Sequence, residues 1–339
     1  MTETTFAQLS TLSAYSAIGV LTLAMFAYAL YLARVAPARD EERAAAQAER
    51  TAPERELVGA GASADVTATD PGSPAGTTAH VPGPDRASEP PGARKAAGIA
   101  WMLTLLGTAL VVAAVLLRAA EVHRWPLGNM YEFALAGSMF TLLAYVGWST
   151  RRDLRWLGIF VVVPVLVVLG FAEAVWFTEA SQLMPSLRSY WLSIHVTVAT
   201  IAVAVFTIGA ALGVLYLVQD RLEERGGSRS FMSRLPSARA LERLSYQTLV
   251  VAFPLWTFTV IVGAVWARQA WGAYWNWDPK EVWSFVIWTV YAAYLHARAT
   301  RGWKRQNATW IALAGFVCVI INFAVVNVYF VGQHSYSGL

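Results

Sequence analysis

Apolar residues in this chain come in blocks long enough to cross a membrane, and that restricts the fold more than any other feature. A helix needs roughly 20 apolar residues to span ~30 Å of hydrocarbon. Eight such blocks are read, at about 12–33, 97–117, 131–149, 156–176, 190–218, 246–266, 280–297 and 308–332. Only 14% of the 339 residues are charged and 56% are hydrophobic, whereas a soluble chain carries about a quarter charged. The expected fold class is therefore all-α, a polytopic membrane helical bundle of about eight transmembrane helices. The first block is long, and it lacks the cationic start and small-residue cleavage site of a removed signal peptide. It is expected to be a retained helix.

Residues 35–95 interrupt this pattern. They are rich in Ala, Pro, Gly, Asp, Glu and Arg and hold no Phe, Tyr, Trp, Ile or Met, so they cannot bury enough surface to offset their ordering entropy. The expected organisation is an N-terminal transmembrane helix at 1–34, a disordered cytoplasmic linker at 35–95 and a transmembrane domain at 96–339. No internal repeat is visible. Cys318 is the only cysteine, so the chain by itself has no thiol redox chemistry. The net charge of +4 says little by itself, and no nucleic-acid partner is expected.

The distribution of basic residues sets the orientation. Loops after blocks 1, 3, 5 and 7 hold most of them, among them Arg151, Arg152, Arg221, Arg225, Arg301 and Arg305. The opposite loops hold Arg118, Arg124, Arg188, Arg268 and Lys280. The first set is read as cytoplasmic. An even number of crossings then places both termini on the extracytoplasmic side of a bacterial plasma membrane.

On that outer side lies WGAYWNWDPKEVW, residues 271–283, with four tryptophans and a tyrosine. Trp271, Tyr274 and Trp275 recur at i, i+3 and i+4, which suits one face of a short interfacial helix. Asp278 precedes a proline and must leave the helical region. It reads as the N-cap of the next helix, with Pro279 first in the helix and Glu281 as capping-box partner. Capping accounts for Asp278 and Glu281 without any ligand. The tryptophans admit two readings, an interfacial aromatic belt or a ligand platform.

The histidines bear on that choice. His195, near the start of block 5, and His334, just past block 8, fall on the same outer side as the aromatic loop. A flat, hydrophobic ligand with an anionic edge and a metal that takes two imidazoles fits haem. Arg188 and Lys280 are candidate partners for its carboxylates. His296 lies on the inner half of block 7, and an ionisable group at that depth is a functional candidate. No other histidine shares its depth. His123 sits in an outer loop and His80 in the linker, and neither is assigned a role.

These residues carry a family resemblance. The stretch 271–283 resembles the tryptophan-rich "WWD" signature of haem-handling membrane proteins. The wider set is similar to the CcsA/ResC type of cytochrome c biogenesis protein: PLGNMYE at 126–132, SYWLSIHV at 189–196, YAAYLHAR at 291–298 and the terminal VGQHSYSGL. It covers about 97–339. The resemblance implies haem b as substrate and bound ligand, with His195 and His334 as outer axial ligands. Trp271, Trp275, Trp277 and Asp278 would form the platform. The family's transmembrane histidine maps to His296, whose opposing ligand comes from a ResB-type partner. The implied activity is that of the haem lyase subunit of a cytochrome c synthase, acting on a CxxCH apocytochrome c. Thioredoxin-like thiol-reducing proteins would act indirectly. Family members often carry a histidine two residues before the proline of PLGNMYE; Arg124 stands there. A haem exporter serving a chaperone and a membrane b-type electron-transfer protein are the alternative functions.

Overall fold

A computed structural model describes residues 3–51, 89–179, 183, 188–225, 232 and 235–334. The described residues are helical: α1 (Glu3–Thr51), α2 (Pro91–Val122), α3 (Met130–Ser149), α4 (Gly158–Ala174), α5 (Tyr190–Glu224), α6 (Ala238–Trp271), α7 (Pro279–Ala299) and α8 (Arg305–Ile320). A π-helical segment, Ile321–Val326, and a last turn, Asn327–Tyr329, continue α8.

Seven of these helices are long and apolar enough to cross a membrane. The eighth expected crossing, 280–297, falls on α7. Its 21 residues reach about 31 Å, enough to span, but its Trp, Tyr, Lys, Glu and Arg residues make it less apolar than the others. Helix α1 runs on to Thr51 and α2 starts at Pro91, so helix covers both edges of the segment expected to be disordered. The middle of that expected linker, 52–88, lies outside the described residues.

Small residues decide where helices touch. In a bilayer there is little hydrophobic drive between helices, so close packing and hydrogen bonds do the work. Helix α1 presents Ala14, Ala17, Leu21, Ala24 and Tyr28, all fully buried at helical spacing. Facing it, α2 buries Ala93, Ala97, Ala100, Thr104, Gly107 and Val111. A Cβ on Gly107 would come within 2.6 Å of Leu21, so only glycine admits this approach. Tyr28 ties the first half together. Its hydroxyl lies 3.1 Å from that of Tyr145 on α3 and accepts from Thr104 at 3.2 Å. Its ring packs against Gly158 on α4.

Helices α5 to α8 form a second cluster around Phe206, Trp256, Ile287, Tyr291 and Val319. Phe206 and Tyr291 stack at 4.0 Å. Gly209 of α5 accepts the Leu249 side chain of α6, and Ser245 donates to the Gly209 carbonyl at 2.9 Å. Packing of α3 against α5 joins the halves. A cavity opens at the end of the bundle carrying the α6–α7 loop.

Candidate functional site

The cavity has a volume of about 160 Å³. Its walls come from the α2–α3 loop, α3, α5, α6, α7, the π-helical part of α8 and the chain after it. His195, Trp271, Trp275 and His334 all line it, so most of the residues singled out from the sequence share one space. Trp266, Tyr274, Lys280, Asn322 and Asn327 line it too.

His195 lies in the second turn of α5. Its Nδ1 is 3.0 Å from the Thr259 carbonyl of α6. A carbonyl only accepts, so Nδ1 carries the proton and donates, and in the neutral ring the lone pair falls on Nε2. The ring fits because position 263 is glycine. A Cβ there would lie 2.6 Å from His195 Cε1 and 3.0 Å from Nδ1.

His334 is held from the other side. Its Nδ1 donates to Asp278 Oδ2 at 2.8 Å, which again assigns the lone pair of the neutral ring to Nε2. Asp278 Oδ1 accepts the Gln333 backbone N–H at 2.6 Å. Asn276 adds a bond from Nδ2 to Gln333 Oε1 at 3.2 Å. Burial pushes the Asp278 carboxyl up, but the His334 bond and the backbone donors of Gln333 and Lys280 outweigh it and hold it below its ordinary value. Gly332 lets the terminal chain close over Asp278, because a Cβ there would overlap the carboxylate. Imidazoles held at one nitrogen by a carbonyl or carboxylate are what metal-binding histidines show.

Rings link the two histidines. His195 lies 5.7 Å from Trp266, Trp266 stacks 6.4 Å from Trp271, and Trp271 meets His334 edge-on at 4.8 Å. The donor set therefore suits a flat metal-bearing ring: two oriented imidazoles and apolar indole walls.

The loop itself differs from the expected interfacial helix. Trp271 is the last residue of α6, and Gly272 takes φ +82, a left-handed conformation that ends the helix. Residues 272–274 are bends and 275–278 irregular chain. The expected turn before Pro279 is present, with Trp277 at φ 58 and Asp278 at φ −57, ψ 143. A positive φ is unusual for so bulky a residue. The expected cap is present as well: Lys280 N donates to Asp278 at 3.1 Å, and Glu281 Oε2 accepts from Asp278 N at 3.1 Å. Asp278 thus does two jobs, capping α7 and holding His334.

Three residues of the expected set are off the cavity wall: Asp278, which acts through its bond to His334, and two that stand apart. Trp277 is 76% exposed, rests edge-on against Trp275 and is not on the cavity wall. His296 lies in the last turn of α7, on its exposed face, away from the cavity. Arg188 is also off the wall; its Nε donates to the Leu183 carbonyl at 3.0 Å. His123 ends α2 in a left-handed conformation, φ 52.

Several wall residues escaped the sequence reading. Trp266 sits one helical turn before the quoted stretch. Asn322 lies within the π-helical segment and Asn327 just past its end, a feature without a sequence signature. The signal for Glu132 was present: Asn129 and Glu132 have capping-box spacing, and Asn129 Oδ1 accepts from Glu132 N at 2.8 Å. The Glu132 side chain, fully buried, instead binds Arg124 at 2.7 Å, Arg118 at 3.3 Å and the Gly128 N–H at 2.7 Å. It fixes the loop 127–130 that walls the cavity.

The chain matches the family described as "Cytochrome C assembly protein" over residues 124–334. It is 34% identical over 273 residues to the cytochrome c biogenesis protein CcsA of Parasynechococcus marenigrum (strain WH8102), covering 71% of this chain and 87% of that one. It is 34% identical over 259 residues to the CcsA of Guillardia theta, covering 71% and 86%. Among solved structures, a cytochrome c heme lyase CcmF aligns with a TM-score of 0.55 and 16% identity over 95% of this chain and 47% of that one. That likeness concerns the fold, and this chain spans about half the lyase's length. The family match covers the cavity, both histidines and the aromatic loop, and the chain belongs to the cytochrome c assembly protein family as a multi-pass, CcsA-type cytochrome c biogenesis protein.

Proposed function

We propose that this protein binds haem b in the cavity between His195 and His334 and presents it, on the extracytoplasmic face, for covalent attachment to a CxxCH apocytochrome c. One observation carries the reading: two imidazoles, each held through Nδ1 by an acceptor, border a single indole-walled cavity. Relatives named as cytochrome c biogenesis proteins, and a fold shared with a protein named as a cytochrome c heme lyase, support it.

Haem is the substrate in this reading. The chain's residues orient it and exclude water, which can lower a barrier by several kcal/mol. The reactive thiols belong to the apocytochrome: each S–H adds across one vinyl group, forming a C–S bond and placing hydrogen on the neighbouring carbon. No side chain of this protein needs to act as nucleophile. Helix α7 would be the eighth crossing, which brings the aromatic loop and both termini to the same side. His296 would then lie toward the cytoplasmic side, on an exposed helix face open to a ResB-type partner that supplies the opposing ligand.

The test is the absorption spectrum of the full chain purified from haem-replete cells. Low-spin bands are expected, and His195→Ala and His334→Ala should each lose them. Unchanged spectra in both variants would refute the ligand assignment. Attachment is scored separately, by covalent haem staining of a coexpressed CxxCH reporter with the partner present. Haem loading without staining would indicate export to a carrier instead.

A further inference from the structure

Beyond its two histidines, the cavity has a polar corner that neither axial ligation nor ring stacking uses. Lys280, in the first turn of α7, is the only Lys or Arg on the wall among the described residues. Its Nζ donates to the Asn322 carbonyl at 3.4 Å and, at short range, to Asn327 Oδ1. Both acceptors are neutral. The nearby carboxylates bond other groups: Asp278 takes the Gln333 N–H, the His334 ring and the backbone N–H of Lys280 itself, and Glu281 Oε2 takes the N–H groups of Asn276, at 2.8 Å, and Asp278. Asp278 is close enough for its charge to favour the ammonium, but Nζ itself bonds only neutral oxygens, so a ligand that brings a carboxylate to it would relieve the cost of a charge on an apolar wall.

A second observation points the same way. Asn322 is 4% exposed and its Oδ1 has no hydrogen-bond partner among the described residues. Its Nδ2 is 3.3 Å from Ser284 Oγ. A hydroxyl both donates and accepts, so turning the amide over keeps that bond and leaves the NH₂ as the unpartnered group. Trp266 Nε1, 4% exposed on the same wall, is likewise a donor without a partner. The wall thus offers one cation and two unused or convertible donors. The π-helical winding creates this corner, and such segments recur at functional sites.

We propose that Lys280, with the Asn322 amide beside it, receives the carboxylate edge of the planar ligand and so fixes which way round the ring enters. This assignment rests on the haem reading above. It separates Lys280 from Arg188, which is off the wall. It also predicts where the reactive edge lies, because docking the carboxylates at α7–α8 turns the opposite edge of the porphyrin away from Lys280.

The experiment compares two probes, iron protoporphyrin IX and its dimethyl ester, titrated into the full-length chain in detergent or nanodiscs. Wild type should bind the free acid about tenfold tighter or more, the weight of a charge-assisted hydrogen bond. Lys280→Met should bring the two affinities together by weakening the acid alone, and Lys280→Arg should preserve the preference. Equal affinities in wild type would overturn the proposal, as would a Lys280→Met variant that weakens both probes alike, the result of a merely structural role at the π-helical turn. If Lys280→Met does not fold, Lys280→Gln takes its place and the wild-type ratio still decides. Failure of the haem reading gives a different result: neither probe develops low-spin bands, His195→Ala changes nothing, and both assignments fall together.

Discussion

At the scale of single residues, the site depends as much on absent side chains as on present ones. Gly263 is the clearest case. The His195 ring occupies the place where any Cβ on α6 would go. Alanine is better than glycine in a helix interior by up to ~1 kcal/mol, so Gly263→Ala should leave the helix intact while displacing the imidazole. A haem titration should show binding weakened by at least roughly tenfold, since a misplacement of about 1 Å at a reacting centre can cost about a hundredfold. The melting temperature should hardly move. Unaltered affinity would mean that the ring has room to spare. The sequence marks Gly263 no differently from other glycines; only the neighbouring helix gives it a purpose.

At the scale of elements, Asp278 couples the start of α7 to the chain that follows α8. Its cap and its hold on His334 use the same carboxylate, and substitution separates them. Asparagine caps a helix about as well as aspartate, whereas alanine costs about 1 kcal/mol. Asp278→Asn should therefore keep thermal stability and lose haem affinity, because the charge that holds His334 is gone. Asp278→Ala should lose both. Equal haem affinity in the two variants and wild type would show that His334 is placed by other contacts. The α2–α3 loop gives the second prediction at this scale. Glu132 pairs with Arg118, itself 3% exposed, and with Arg124. Removing one member of a buried ion pair leaves uncompensated charge and costs about 3–5 kcal/mol. Glu132→Ala should lower the unfolding free energy in detergent by that margin, read from denaturant titration, and Glu132→Gln by less, since it keeps an acceptor for the guanidinium groups. A change near zero would place the network in water.

At the scale of the whole molecule, the topology turns on α7, which is long enough to cross but less apolar than its seven companions. If it crosses, reporters fused before α1 and after His334 both read the extracytoplasmic side, and one inserted near Arg301 reads the cytoplasm. Termini on opposite sides would leave seven crossings and move His296 or His334 to the other face. The apolar blocks could be read from the sequence because hydrocarbon demands about 20 apolar residues of any helix, whatever its neighbours. The cap at Asp278 and the turn before Pro279 could be read too, because they follow from local backbone chemistry. The helix expected over the aromatic loop was not found, since Gly272 ends α6 in a left-handed turn. The sequence by itself determined the helical class, the positions of most spans and which aromatic loop and histidines to examine. Only the tertiary structure decided that Trp266, Lys280 and Asn322 join His195 and His334 around one cavity while Trp277 and His296 stand outside it. A side chain's partners come from helices far away in sequence, and its rotation about its own helix is fixed only when those helices pack.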